Sequence, residues 1–294
     1  MQEELARLVR GMGPHAGDVD LELCQPVGGG CSQQAWRLQL SDGRQLFAKG
    51  GDPVMLEAER LGLQALRRWS DPLDLLVPEV LALLHGQSNR AWLLLPWLDQ
   101  GVGDQRRLGR GLARLHRASA AQGPDRFGWE SDAFIGLGPQ PGGWRQSWGE
   151  AFVDLRLRPQ MELARSWGLE IAPLEPLLHG LIQRLDRHGA KPALVHGDLW
   201  SGNASVLGDG RGLLIDPACW WADREVDLAM THLFGGFSRR FYEAYQQEWP
   251  LPDLASERVE VYNLYHLLNH ANLFGGAYRQ QCRQTLQRLE GIDG

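Results

Sequence analysis

The segment His196–Asn203 places a carboxylate, Asp198, five positions before a side-chain amide, Asn203. This is the spacing H-x-D-x-x-x-x-N of a phosphoryl-transfer loop, and chemistry explains it. A hydroxyl about to accept phosphate needs a carboxylate beside it to orient it and take its proton. An amide carbonyl one turn further on can hold Mg²⁺. Asp216 follows thirteen positions after Asn203, at the end of a predicted strand. A second carboxylate there could bridge Mg²⁺ to the β- and γ-phosphates. A lone Asp in a loop is ordinarily a turn or helix cap. The ordered set Asp198, Asn203, strand, Asp216 points instead to phosphoryl transfer.

Phosphate handling has a second set of candidates nearer the N-terminus. Gly28, Gly29 and Gly30 lie between two predicted strands. Three glycines let backbone N–H groups approach phosphate oxygens unobstructed, although such runs also make plain hairpin turns. Lys49 ends a later strand and could reach the α/β-phosphates as a point charge. The next helix offers both Glu57 and Glu59 to hold it. Cys31 follows the glycines directly. The anion-favouring field of such a loop would lower its pKa and make it redox-sensitive; a small Cys filling space under the turn is the alternative.

On the acceptor side, Trp200 and Trp220, with Trp221, flank the two aspartates in sequence. Sugar C–H faces stack well on indole, while at least one of the three is expected to pack in the core. Arg156 and Gln160 could offer polar contacts to the acceptor or simply line an exposed helix face. His266 and His270 are spaced i, i+4, but no third ligand supports a metal site, so packing is the expected role.

These groups need elements to position them. A short amphipathic helix is expected over 1–12, then strands at Leu21–Val27, Ala35–Leu40 and Gln45–Lys49, with a turn at Ser41–Arg44. A helix over Met55–Trp69 and strands at Val80–Leu84 and Ala91–Leu95 complete a mainly β lobe, placed at residues 1–96. The second lobe, 97–294, should be mainly α. Helices are predicted over Gln105–Ala118, Trp148–Trp167 and Pro173–His188, and again from about Glu225. The Gly/Pro-rich stretch Ile135–Gly143 reads as loop. Ala193–Val195 reads as a short strand, and Ser205–Leu207 with Leu213–Ile215 as a hairpin about Asp209-Gly210. The fold class is therefore α+β and bilobal, with a ligand held between the lobes.

The bulk properties agree. A formal net charge of −6 over 294 residues gives no electrostatic reason to expect a nucleic-acid partner. The N-terminus is acidic where a signal peptide would be basic, and the longest apolar run, Ala91–Trp97, is far short of a membrane span. Four dispersed cysteines suit neither a zinc motif nor a disulfide framework. A cytoplasmic protein with no membrane partner is expected.

Taken together, these motifs resemble the fructosamine-kinase (ketosamine 3-kinase) family, a branch of the protein-kinase-like fold related to aminoglycoside phosphotransferases. The likeness runs through Gly28–Cys31, Met55–Glu59, Phe134–Gly136, Pro139–Pro141 and His196–Asn203. It continues through Asp216–Ala218, Arg224-Glu225, Asp227–Thr231, Leu233–Phe237, Leu264–His270 and Asn272–Gly276. The catalytic loop alone leaves choline-, homoserine- and aminoglycoside-type kinases open; Trp200-Ser201 and the C-terminal signature narrow the choice. The resemblance implies ATP and Mg²⁺ as cofactors, Asp198 as base, and Asn203 and Asp216 as Mg²⁺ ligands. It also implies a Lys49–Glu59 ion pair on the phosphates, and Leu95, Pro96 and Trp97 as an adenine-binding hinge. The implied substrate is a ketosamine, free or on a protein lysine, phosphorylated at the sugar 3-hydroxyl; the ester is unstable and the amine is regenerated. Ala133, Trp220, Trp221, Asp223 and His232 depart from the family pattern and are expected on the acceptor side, leaving another small hydroxylated or amine-bearing acceptor open. A nucleotide-binding pseudokinase scaffold is a third possibility, opposed by the intact Lys49, Asp198, Asn203 and Asp216.

Overall fold

The computed structural model describes residues 2–10, 21–28, 34–86, 89–170 and 173–290. Gly29, Gly30 and Cys31 lie outside the described residues.

The N-terminal helix α1 (Gln2–Arg10) precedes strands β1 (Leu21–Val27), β2 (Gln34–Leu40) and β3 (Gln45–Gly51). Helix α2 (Pro53–Trp69), a two-residue strand β4 (Leu75–Leu76), and strands β5 (Ala82–His85) and β6 (Ala91–Pro96) follow. Five of these strands form one antiparallel sheet in the order β1-β2-β3-β6-β5. The two-residue side-chain period of β3 sends Leu46 and Ala48 to one face, where Leu5 and Val9 of α1 cover them. Phe47 and Lys49 point the other way. Helix α2 starts sharply because Asp52 accepts hydrogen bonds from the N–H groups of Val54 and Met55, with Pro53 in the first turn. Leu56, Glu59, Leu63 and Leu66 share its buried face.

The chain continues as β7 (Gln100–Gly101), α3 (Arg106–Gln122), β8 (Phe127–Trp129), β9 (Ala133–Ile135), β10 (Gly138–Gln140) and β11 (Gly143–Arg145). Next come α4 (Trp148–Phe152), α5 (Arg158–Ala164), α6 (Leu174–Asp186), β12 (Ala193–Val195), β13 (Ala204–Leu207), β14 (Gly212–Leu214) and β15 (Trp220–Ala222). Helices α7 (Glu225–Phe234), α8 (Arg239–Glu248), α9 (Ala255–Phe274) and α10 (Ala277–Glu290) complete the mainly helical part.

Two sequence expectations change, and one pairing not expected from the sequence appears. The Gly/Pro-rich stretch is not plain loop: β9 and β10 pair as a tight hairpin about Gly136, whose φ is +57°, and β11 pairs with β8. Strands of three residues are too short for a periodic signal. The helix expected over Trp148–Trp167 is interrupted by a π-helical turn at Val153–Leu157. Pro159 has no N–H to give to an ordinary i→i−4 ladder, which accounts for the widened turn. Finally β4, from the first part of the chain, pairs in parallel with β14, in a sheet ordered β4-β14-β13-β7. One apolar cluster accordingly spans both parts, joining Leu56, Leu63 and Leu93 to Leu112, Leu194 and Leu214.

Candidate active site

The loop after β12 is held from below. Asp227, in the first turn of α7 and buried, accepts hydrogen bonds from the backbone N–H groups of His196 (2.7 Å) and Gly197 (2.8 Å). It also meets His116 Nε2 at 3.1 Å, and His116 Nδ1 lies 2.9 Å from the Tyr245 hydroxyl. Burial opposes the Asp227 charge, but the His116 bond, the neighbouring imidazoles and the Gly197 N–H outweigh it and hold the carboxyl below its usual range. Gly197 has φ +80°, and a Cβ there would stand 2.1 Å from the Ala218 carbonyl oxygen, so no other residue fits. His196 is a strut: its Nδ1 accepts the Asp198 N–H (3.3 Å) and its Nε2 reaches the Ile215 carbonyl (2.8 Å). That pairing places the proton on Nε2, and burial lowers the His196 pKa, so the ring is neutral.

On this base the charged groups converge. Asn203 Nδ2 donates to Asp198 Oδ2 (3.0 Å) and to the backbone oxygens of Asp198 (3.0 Å) and Asp216 (3.4 Å). Asp216 follows β14 with φ +53°, a left-handed conformation uncommon outside glycine. Its Oδ2 lies 3.0 Å from Lys49 Nζ, and Glu59 Oε2 approaches the same nitrogen at 2.8 Å. Glu57 instead pairs with Arg60 at 2.6 Å, so the helix phase selects Glu59. Burial works against the Lys49 ammonium, but Glu59 and Asp216 outweigh it and hold its pKa above the usual lysine range. Burial raises the Glu59 carboxyl, with Lys49 opposing. Burial, and then the Asp216 charge, push Asp198 up to about 7.

These residues line a cleft of about 830 Å³ between the five-stranded sheet and the helical part. Gly28, Leu95, Pro96 and Trp97 also line it. The Trp97 N–H is already donated to the Gln45 carbonyl (3.0 Å), which extends the β3–β6 ladder by one rung. The Leu98 N–H has no backbone acceptor among the described residues and also lines the cleft.

The acceptor-side expectations divide. Trp200 lines the cleft, 36% exposed, edge-on to Phe234. Trp220 does not: it is fully buried, 5.4 Å from the Trp148 ring. Arg156 is buried too, its guanidinium 3.9 Å over the Trp220 ring and donating to the Pro141 and Leu155 carbonyls. Burial lowers it to about 10. Gln160, also buried, is bonded by Asn272 (2.7 Å) and approaches Asn269 (3.5 Å). Arg156 and Gln160 thus lie behind the cleft wall rather than on an exposed helix face. Among the departures from the family pattern, Ala133 lines the cleft. Trp221 sits edge-on to Trp69, Asp223 is buried on Tyr262 and His188, and His232 is exposed and stacked on Tyr242.

Sequence reasoning missed two contributions. His270, read as packing, lines the cleft beside Asn269, with Nδ1 2.9 Å from the His266 carbonyl. The signal available was that Asn269, His270, Leu273 and Phe274 fall on one face of a helix. Asp227 was visible only as part of a motif; its role needs α7 under the loop.

A β-rich lobe and a helical lobe, with a Lys–Glu pair on one and an Asp/Asn loop plus a second Asp on the other, define a phosphotransferase of protein-kinase-like fold. A thermostable mutant of the aminoglycoside phosphotransferase APH(4)-Ia shares that fold, with a TM-score of 0.60 at 14% identity over 92% of this chain and 95% of that one. The family model for fructosamine kinase matches residues 10–291. A probable ketoamine kinase of Synechocystis sp., slr1563, is 41% identical over 270 residues, 89% of this chain and 88% of the relative. The crystal structure of a putative fructosamine-3-kinase from Haemophilus somnus superposes with a TM-score of 0.86 at 25% identity, covering 98% and 97% of the two chains. The chain belongs to the fructosamine kinase family and is an enzyme that phosphorylates a sugar hydroxyl. No helix among the described residues is long and apolar enough to cross a membrane.

Proposed function

We propose that this enzyme transfers the γ-phosphoryl group of ATP to the 3-hydroxyl of the sugar in a ketosamine, free or on a protein lysine. The observation that carries the reading is Lys49 held between Glu59 and Asp216. It ties a cation on the β-lobe to the carboxylate beside the Asp198–Asn203 loop, as transfer from a nucleotide to a hydroxyl requires. In this reading Asp198 orients the acceptor hydroxyl and takes its proton as the new oxygen–phosphorus bond forms and ADP leaves. Lys49, fixed by Glu59, meets the α/β-phosphates, with Gly28, Gly29 and Gly30 as their backbone cradle. Pro96 and Trp97 frame the adenine, and the Leu98 N–H, rather than that of Trp97, is the free hinge donor. Trp200 offers the sugar a flat face.

Mg²⁺ fits the residues present. Asp216 supplies a carboxylate and Asn203 an amide carbonyl, both hard oxygen donors. The Asn203 amide nitrogen is spent on Asp198 and Asp216, and no described residue donates to its oxygen. Bound there, the ion would neutralise charge on the β- and γ-phosphates. The lobe boundary falls at 96/97, with residues 97–294 carrying the acceptor. The described cysteines Cys24, Cys219 and Cys282 are free thiols, which suits a reducing cytoplasm.

The test is ADP release with Mg²⁺ and ATP over fructosyl- and ribulosyl-amines. Acceptor-dependent turnover is expected. Turnover with another alcohol and none with any ketosamine would move the assignment to a different small-molecule kinase, and no turnover with any alcohol to a scaffold.

A further inference from the structure

The acceptor end of the cleft has an uneven character. The charged residues lining the whole cleft, among those described, are Lys49, Glu59, Asp99, Asp198 and Asp216, and the single lysine or arginine is already committed to Glu59 and Asp216. The same lining carries the apolar Trp129, Phe134, Leu273 and Phe274, with the amide of Asn269 and the imidazole of His270 among them. Phe274 is the last residue of α9 and 54% exposed. The reversal into α10 runs through Gly275 and Gly276 at φ +67° and +58°, conformations that favour glycine, and so fixes Phe274 at the helix end. Its ring lies 5.6 Å from His270, which lies 4.8 Å from Phe234, which meets Trp200 at 6.5 Å. Rings therefore support one another from Trp200 to Phe274, and of these Trp200, His270 and Phe274 line the cleft. Arg279, in the first turn of α10, is drawn back over the Trp167 ring at 5.4 Å.

We propose that these rings receive the amine substituent of the ketosamine, and that Phe274 makes the enzyme select acceptors built on apolar or aromatic amines over those carrying a carboxylate. The proposal rests on the ketosamine reading above. An apolar substituent leaves water for ring faces, where burial of hydrocarbon is favourable. The ketosamine nitrogen, a secondary ammonium, suits a cleft rich in carboxylates and aromatic faces. An amino-acid carboxylate on the same substituent would lose water with no cation to receive it.

Four acceptors with one sugar test this: the adducts of benzylamine, butylamine, methylamine and glycine, compared by kcat/KM. The benzyl and butyl adducts should exceed the methyl adduct by about tenfold, and the glycine adduct should fall below it. Phe274→Ala should remove most of the benzyl advantage, lowering kcat/KM about tenfold more for the benzyl adduct than for the methyl adduct. Phe274→Leu should restore the butyl preference. A flat series with good turnover, or an equal loss on all four adducts in Phe274→Ala, overturns the proposal and leaves the ketosamine reading standing. No turnover with any adduct overturns both.

Discussion

Lys49 Nζ lies 3.0 Å from Asp216 Oδ2, across the gap between the five-stranded sheet and the turn that follows β14. The contact depends on two local features. The strand period turns Lys49 away from the face that α1 covers, and the left-handed φ of +53° at Asp216 turns the chain there. Glu59 holds the same ammonium from the other side at 2.8 Å. The charge is thus preplaced where phosphate oxygens are expected.

Removing that charge should impair both nucleotide binding and turnover. Lys49→Met is expected to lower kcat by about 10²–10³-fold and to raise the KM for ATP. Lys49→Arg should not rescue, because the planar guanidinium cannot replace a compact ammonium between two carboxylates. Steady-state kinetics with varied ATP would check this; near-wild-type kcat/KM in Lys49→Met would remove Lys49 from the phosphate site.

Asp198→Asn keeps the shape but cannot accept a proton, so kcat should drop by about 10²–10⁴-fold with ATP affinity nearly intact. Asp216→Ala should instead weaken nucleotide–metal binding. Nucleotide titration beside turnover separates the two, and unchanged kcat in Asp198→Asn would show that another group is the base.

Asp227→Asn addresses the scaffold under the loop. One oxygen that receives a loop N–H becomes an NH₂, placing donor against donor in a fully buried site. A loss of about 3 kcal/mol in stability is expected. Thermal melts should show a drop of several degrees that Asp198→Asn does not share. Equal melting of the two variants would contradict the anchoring role.

Stability should fall as the medium turns acid, with His266 contributing. It is fully buried, its ring nitrogens have no partner among the described residues, and burial lowers its pKa to about 3. The neighbouring His270 adds to the lowering and Asp227 opposes it. The unfolded chain takes up this proton near the ordinary histidine value of ~6.5, while the folded chain resists until about 3. The contribution is therefore complete above ~6.5 and lost progressively as pH falls toward 3. Burial also lowers His196, so part of the trend remains without His266. Urea unfolding at pH 7.5 and 5.5 should give a smaller difference for His266→Leu than for wild type. An unchanged difference would exclude His266.

What the sequence determined by itself was whatever is local. Asp198 and Asn203 share one loop, so their spacing alone places amide against carboxylate. The alternation in β3 and the Asp52 cap of α2 are likewise set by neighbours in the chain. Tertiary structure decided what depends on two segments meeting. The choice of Glu59 over Glu57 follows from how α2 is rotated against the sheet. Trp220, Arg156 and Gln160 have the residue types of an acceptor site, yet the helices that close over them put them behind the wall. His270 has the spacing of an ordinary packed histidine, yet α9 delivers it to the cleft. Asp227 lies 29 residues from Asp198, and only the placement of α7 beneath the loop lets its carboxylate receive two backbone N–H groups. Side-chain type and period report which residues can face inward or do chemistry. Which buried face meets which partner is settled by packing between elements distant in the chain, and no short-range pattern encodes it.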